Sequence, residues 1–299
     1  MIGLLLAVAA SGAWGVSDFI AGVRSRSLAV ALVLLLSQVA GLAVLAGILI
    51  AWRPQTLAVA GLPGSSMVPA ALAGAAGVAA LGLVYVAMSR GGIALVAPVS
   101  AISAALSTAV GLLTGERLTT HAAIGVVLAL TGTLAAASPP RGSRATPGIG
   151  AKARLRSYDR TAMLAAAGSA VCTSAFFILI RMASTGSDPM TATLVNRLSG
   201  CALVTAWALG RWPELRAVRK ARPLALLAIG LVGAADAVAE LCYAAASTRA
   251  PLSLVAPLSS LYPAVAVMLA VTLLRERPDR IGTLGVVSAL AGTALLAGA

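Results

Sequence analysis

The sequence predicts an all-α integral membrane protein with ten transmembrane helices, arranged as two inverted five-helix repeats. The first observation behind this prediction is composition, because 60% of the 299 residues are hydrophobic and only 10% are charged. Soluble domains carry about 25% charged residues. The second observation is a series of ten long apolar runs, and the third is a repeat that relates the two halves of the chain.

Each of the apolar runs is long enough to cross the hydrocarbon core of a bilayer, which takes about 20 residues in a helix. A transmembrane barrel would instead show alternating segments of about ten residues, and these runs do not alternate. The predicted spans are residues 2–22, 28–51, 67–88, 93–114, 119–137, 161–182, 190–210, 223–247, 251–272 and 281–298.

A polar segment interrupts the series between the fifth and the sixth span. Residues 138–160 are rich in Pro and Gly and contain six Lys or Arg, a composition typical of loops. We therefore interpret this segment as a basic linker. It separates a first five-helix repeat, residues 1–137, from a second five-helix repeat, residues 161–299.

The two halves repeat each other at a nearly constant offset. Leu-Val-Ala-Pro occurs at residues 95–98 and again at 254–257, and other matched positions keep an offset of 158 to 160 residues. A bias towards Ala and Leu does not explain the matched Pro positions. Because five spans per half is an odd number, the second half enters the bilayer from the opposite face. Inverted repeats of this kind are typical of secondary transporters, which bind solute near the midplane.

The net charge of +13 is distributed unevenly over the predicted loops. The loops after spans one, three, five, seven and nine contain 17 Lys or Arg, and those after spans two, four, six and eight contain four when Arg181 at the end of span six is included. The positive-inside rule then places the odd-numbered loops in the cytoplasm and both termini outside. Since the basic residues lie in short loops, the charge indicates membrane topology rather than binding to nucleic acid.

Several short motifs, taken in order, resemble the EamA type of the drug/metabolite transporter superfamily. They are Trp14-Gly15 with Phe19 in span one, the Ala-Pro pairs near the start of spans four and nine, and Gly-Glu-Arg at residues 115–117. The resemblance covers nearly the whole chain. It implies a multi-pass protein of the plasma (inner) membrane that transports, and usually exports, metabolites, amino acids or drugs. Members of this family often have both termini in the cytoplasm, opposite to the orientation that the charges favour.

Three ionisable side chains lie well inside predicted spans, where each costs at least about 2.5–3.5 kcal/mol on insertion scales and suggests a function. Arg197 is in span seven, and Asp236 and Glu240 are four residues apart on one face of span eight. Depth, at about 1.5 Å per residue, places Arg197 between the two acids. We predict that the acids bind solute or a coupling proton. The alternative is a structural ion pair that joins the two spans.

Five further side chains are candidates for lining a solute site. Gln38 is the repeat partner of Arg197, and Asp18 lies near the end of span one. Tyr85, Tyr243 and Tyr262 are suited to stack on a solute or to form a hydrogen bond with it. The alternatives are an interfacial acid for Asp18 and interface anchors for the tyrosines, although Tyr262 is central in its span.

Pro98 and Pro257 occupy matching positions in spans four and nine. A Pro within a helix removes a backbone donor and frees the carbonyl four residues earlier. Membranes tolerate freed carbonyls where they line a cavity, so the prolines are predicted either to line the solute path or only to kink their helices. Glu116 and Glu276 are expected to form local ion pairs with adjacent Arg residues.

The motifs disfavour two function classes and leave two open. ATP-driven pumping is disfavoured because the chain has no Gly-x-x-x-x-Gly-Lys-[Ser/Thr] loop. An intramembrane enzyme needs converging catalytic groups, but the sole histidine, His121, is at a span edge. We predict no enzymatic activity, metal or cofactor, and expect a small solute and the bilayer as partners, with proton coupling as one mechanism. The alternative is a non-transporting membrane scaffold or receptor.

Overall fold

The computed structural model describes residues 1–24, 30–52, 64–91, 96–136, 160–211, 223–273 and 280–297. These residues are all-helical, as the sequence predicted, and the linker predicted at residues 138–160 lies outside them except for its last residue. The described part forms α1 Ile2–Arg24, α2 Val30–Trp52, α3 Gly64–Gly91, α4 Val96–Leu113, α5 Thr120–Ala136, α6 Arg160–Gly186, α7 Pro189–Leu209, α8 Pro223–Ser247, α9 Leu252–Ser259, α10 Tyr262–Leu273 and α11 Arg280–Ala297.

Seven helical stretches of the described residues are long and apolar enough to cross a membrane. They correspond to α1, α2, α3, α6, α7, α8 and the α9–α10 pair. The remaining three predicted spans correspond to shorter apolar helices within α4, α5 and α11. The structure therefore confirms a multi-pass helical protein, and crossing of the bilayer by these three shorter helices stays a prediction.

The predicted ninth span consists of two helices rather than one. α9 and α10 are separated by a short turn that contains Ser260 and Leu261. Pro263, the second residue of α10, has no backbone donor, and the N–H of Ala264 bonds to Leu261 instead of Ser260. The Ser260 carbonyl accepts a hydrogen bond of 2.6 Å from Ser100 Oγ on α4. A side chain of another helix thus satisfies the acceptor that the break exposes.

The most extensive helix contacts join the first half of the chain to the second. α3 packs along α6, α1 along α8, and α5 along α11. The first helix of each half therefore packs on the third helix of the other, and the two fifth spans pack together. At the α5–α11 crossing, Gly132 meets Ala289 and Gly292 meets Ala129, so the contacting pairs are themselves related by an offset of 160 residues.

Two further crossings rest on glycines at equivalent positions of the halves. Gly74 of α3 meets the backbone of Asn196 on α7, and Gly233 of α8 meets the backbone of Ser37 on α2. Neither glycine leaves room for a Cβ atom, so the helix backbones contact each other directly, as small residues permit in membrane helix pairs. These two close approaches bring α2, α3, α7 and α8 together around the charged side chains described next.

Candidate functional site

A buried arginine links α7 to α8 and α2. Arg197 is 1% exposed. Its Nη2 atom lies 2.7 Å from Asp236 Oδ2, and its Nε atom lies 2.8 Å from Glu240 Oε2. Its Nη1 atom donates to Gln38 Oε1 at 3.0 Å. Arg197 thus contacts both acids, and its repeat partner Gln38 is in direct contact with it.

The local sequence explains why these groups meet. Asp236 and Glu240 are one helical turn apart, so both point to the same neighbouring helix. Asn196, adjacent to Arg197, donates from Nδ2 to Glu240 Oε2 at 2.9 Å. Gly41 of α2 makes room for the guanidinium, because a Cβ there would lie 3.0 Å from Arg197 Nη1 and 2.8 Å from a backbone oxygen of α8. A larger residue at this position would displace Arg197 or separate the helices.

The charges of this cluster do not balance. Two carboxylates share one guanidinium, and the side chains of Asp236 and Glu240 are 25% and 11% exposed. The remaining oxygen of Asp236, Oδ1, accepts a hydrogen bond of 2.9 Å from the neutral Trp14 Nε1. Burial of uncompensated charge is costly, so the cluster favours a proton or a cationic group as a further partner.

A third carboxylate lies on the helix that packs along α8. Asp18 of α1 is half-buried, and its neighbour Ser17 donates from Oγ to the Val232 carbonyl of α8 at 3.2 Å, one helical turn before Asp236. Tyr85 of α3 and Tyr262 of α10 are half-buried as well. Trp14 is one turn before Asp18 on α1, and its ring lies 6.3 Å from the Tyr262 ring. Within the described part of the chain Asp18 has no hydrogen bond or ion pair. Asp18, Asp236, Trp14, Tyr85 and Tyr262 are all partly exposed.

Tyr243 occupies a different environment from the other two candidate tyrosines. It is 0% exposed, and its hydroxyl donates to the Phe177 carbonyl at 3.3 Å. Its ring stacks on the Phe177 ring with centroids 4.5 Å apart, and Trp14 and Phe176 pack around the pair. In this conformation Tyr243 therefore packs helices together, and its contact with a solute stays a prediction.

The two prolines are in different positions within their helices. Pro98 is the third residue of α4, and backbone donors in the first turn of a helix have no intrahelical partner in any case. Its side chain is outside the described residues. Pro257 lies in the interior of α9 and is buried, close to the turn that separates α9 from α10. A role of either proline in lining a solute path stays a prediction.

A second charged cluster lies at one end of the helices. The Glu116 carboxylate accepts the backbone N–H groups of Leu252 and Ser253, both at 2.8 Å, at the start of α9. Arg181 Nη2 lies 3.0 Å from Glu116 Oε1, and its Nη1 donates to two backbone carbonyls at and after the end of α8. The expected local pair with Arg117 is therefore wrong. Glu116 instead binds the unpaired donors of a helix N-terminus, where negative charge is stabilised.

The surroundings of Glu116 also shift its titration. Partial burial alone would raise its pKa, but the hydrogen bonds from Ser253 and Leu252 and the charge of Arg181 hold the pKa below its usual range. Glu116 is therefore ionised near neutral pH. In that state it ties the end of α4 to α6 and to the start of α9.

Comparison with known proteins gives a family match within the second half of the chain. Residues 160–298 match the model of the EamA-like transporter family, which belongs to the drug/metabolite transporter superfamily. A search of curated proteins finds no match. Among solved structures, one crystal structure of a protein has a TM-score of 0.75 and 20% sequence identity, over 98% of this chain and 95% of its own. At that identity the similarity shows the fold alone.

Proposed function

Because residues 160–298 belong to the EamA-like transporter family, we propose that the chain is a secondary exporter of small metabolites, amino-acid-like solutes or drugs. The family match confirms, over residues 160–298, the resemblance that the short motifs indicated. Together with the apolar helices it identifies a membrane transporter of the drug/metabolite type. The direction of transport, the solute class and the plasma (inner) membrane as the location are parts of the proposal.

The observation that carries the proposal is the charged cluster within an apolar helical protein. Arg197, Asp236 and Glu240 are joined at 2.7 and 2.8 Å, yet the Asp236 side chain keeps a quarter of its surface exposed. A purely structural ion pair would be more stable if water were excluded from it and its charges were balanced. An unbalanced and partly accessible cluster inside predicted spans is instead typical of a solute or proton pathway.

Alternating access between two inverted halves is the proposed mechanism. It is supported by the reciprocal packing of α1 on α8 and α6 on α3, which is the pattern expected of repeats related by a two-fold axis. It is also supported by the interrupted ninth span, since broken helices often form transporter binding sites. Asp236, Glu240, Arg197 and Gln38 lie between the halves in this scheme, and Asp236 or Glu240 would carry a coupling proton.

A comparison of metabolite contents tests the proposal. Cells that express the protein are compared with cells that express Asp236→Asn and with cells that express Arg249→Gln, an exposed residue bonded to its own helix. The proposal predicts that at least one solute is depleted inside cells with the wild type and Arg249→Gln, but not with Asp236→Asn. Identical metabolite contents in all cells, with folded protein present, would favour a scaffold or receptor instead.

A further inference from the structure

We propose that Glu240 is the group that carries the coupling proton, and that Asn196 accepts the hydrogen bond of its protonated form. This inference rests on the proposed transport function and assigns the proton to one of two acids. Asp236 and Glu240 both contact Arg197, but their hydrogen bonds differ. Those of Asp236 match a carboxylate, whereas those of Glu240 leave room for a proton.

Asp236 has a hydrogen-bond donor on each of its carboxylate oxygens. Arg197 Nη2 donates to Oδ2 at 2.7 Å, and Trp14 Nε1 donates to Oδ1 at 2.9 Å. A guanidinium and an indole N–H donate hydrogen bonds but cannot accept them. A proton added to either oxygen of Asp236 would therefore meet a donor and no acceptor.

Glu240 is held by fewer hydrogen bonds. Its Oε2 atom accepts one from Asn196 Nδ2 at 2.9 Å. Arg197 Nε lies 2.8 Å from the same oxygen, but its N–H is not directed into a hydrogen bond. Among the described residues, no donor is hydrogen-bonded to the other oxygen, Oε1. A proton on Oε1 would therefore displace no donor.

Asn196 offers the acceptor that a protonated Glu240 needs. Asn196 is 2% exposed, and its Oδ1 atom is buried without a hydrogen-bond partner, which is rare for a buried polar atom. A side-chain amide and a carboxylic acid can pair through two hydrogen bonds, because each group then has one donor and one acceptor. The bond from Nδ2 to Oε2 is already in place, and a proton on Oε1 supplies the donor for Oδ1.

Protonation of Glu240 also balances the charges around it. It leaves Arg197 and Asp236 as a pair of one positive and one negative charge. Of the other helices that pack on α8, α2 and α9 contain no ionisable side chain. Asp18 of α1 and Arg181 of α6 form no hydrogen bond or ion pair with Glu240. The charges in contact with Glu240 are therefore those of its own cluster.

The proton step needs no other reactant than water. The Glu240 side chain is 11% exposed, so a proton can reach it from solvent. Uptake forms one O–H bond at Oε1 and cancels the charge that faces Arg197. Release breaks that bond, returns the proton to water and restores the charge. In the proposed transport cycle these two events occur on opposite sides of the membrane.

Infrared difference spectroscopy of the purified full-length protein in lipid tests the assignment, because the carbonyl band of a carboxylic acid is absent from a carboxylate. Spectra are compared between about pH 6 and about pH 9, where ordinary Asp and Glu side chains are ionised and a coupling proton has to be exchanged. The band should appear as the pH falls. It should shift when the protein is synthesised with Glu that carries ¹³C in its side-chain carboxyl group.

Matched substitutions then locate the band on one Glu. Glu240→Gln should abolish it, whereas Glu116→Gln should retain it, because Glu116 is bound to Arg181 and to the start of α9 instead. Absence of the band in the wild type, a band that labelled Glu does not shift, or a band that persists in Glu240→Gln would each overturn the assignment.

A second pair of variants tests the role of Asn196. Asn196→Leu removes the acceptor and should move the band to higher frequency, because a carbonyl stretch rises when its hydrogen bonds are lost. Trp14→Phe removes only a donor to Asp236 and should leave the band in place. An unchanged band in Asn196→Leu would overturn the pairing with Asn196. So would a wild-type band at the frequency of an acid without hydrogen bonds, a readout that needs no variant.

Counterflow in proteoliposomes separates this inference from the transport function. If a solute from the metabolite comparison is transported but no band is assigned to Glu240, the proton assignment is wrong and the transport function stands. If Glu240 is protonated as expected but no such solute crosses the membrane, the proton site stands and the transport function is wrong.

Discussion

Substitution of Arg197 by Gln removes the positive charge that Asp236 and Glu240 share. The guanidinium is 1% exposed and contacts the two carboxylates at 2.7 and 2.8 Å. Gln is the residue that the first half carries at the equivalent position, Gln38, so its size and polarity suit the helix interface. The change therefore tests the charge itself rather than the volume of the side chain.

The magnitude follows from what the substitution leaves behind. Removal of one partner of a buried ion pair typically costs about 3–5 kcal/mol, because the other charge stays buried and unpaired. Asp236 is a quarter exposed, and water would compensate part of its charge, so we expect about 3 kcal/mol in the free energy of unfolding. That is a large fraction of a typical total of about 5–15 kcal/mol.

The assay is unfolding of the purified protein in mixed micelles, with Arg249→Gln as the matched control on an exposed arginine. The control should unfold like the wild type. The triple variant Arg197→Gln, Asp236→Asn, Glu240→Gln should recover most of the lost stability, because neutral replacement of a whole buried charge group is often tolerated. Wild-type stability of Arg197→Gln alone would refute the inference that the cluster pairs buried charges.

Three further outcomes are expected. Gly41→Ala should lower both stability and transport, because its Cβ would lie 2.8 Å from the Gly233 carbonyl oxygen of α8 and 3.0 Å from the Arg197 guanidinium. Gly47→Ala on the same helix has open space and should behave as wild type. Equal behaviour of the two variants would argue against this close packing. The stability difference between wild type and Glu116→Gln should be constant above about pH 6 and shrink below about pH 4. A carboxylate with a lowered pKa contributes stability above its unfolded pKa and loses it as the pH falls through its folded pKa. A difference independent of pH down to 3 would contradict the binding of the Glu116 carboxylate to Arg181 and to the start of α9. A reporter fused to the C terminus should be active outside the cytoplasm if the 17 basic residues of the odd loops set the orientation, and activity inside would show that the family tendency prevails.

Much of the fold was predictable because long apolar segments can only be helices in a bilayer. The helix positions within the described residues follow the predicted spans closely. The break of the ninth span was only partly visible. Pro257 marked the region, but the chain separates after it, next to Pro263, because tertiary contacts decide which of two prolines interrupts the helix.

The candidate site was predictable to the extent that it depends on depth. Residue number fixes how far along a helix a side chain lies, which placed Arg197 level with Asp236 and Glu240. It does not fix which helices are neighbours, so the hydrogen bond from Trp14 to Asp236 could not be foreseen. For the same reason Glu116 was expected to pair locally.

The central claim is that Arg197, Asp236 and Glu240 take part in binding the transported solute or a coupling proton, rather than only joining α7 to α8. The most direct measurement is counterflow, in proteoliposomes, of a solute found in the metabolite comparison, for wild type, Asp236→Asn and Glu240→Gln at equal amounts of folded protein. We predict that transport per folded molecule falls at least about 10-fold in both variants, since a functional intramembrane charge cannot be replaced by an amide. Transport that falls only in proportion to the loss of folded protein would contradict the claim and identify the cluster as a structural ion pair.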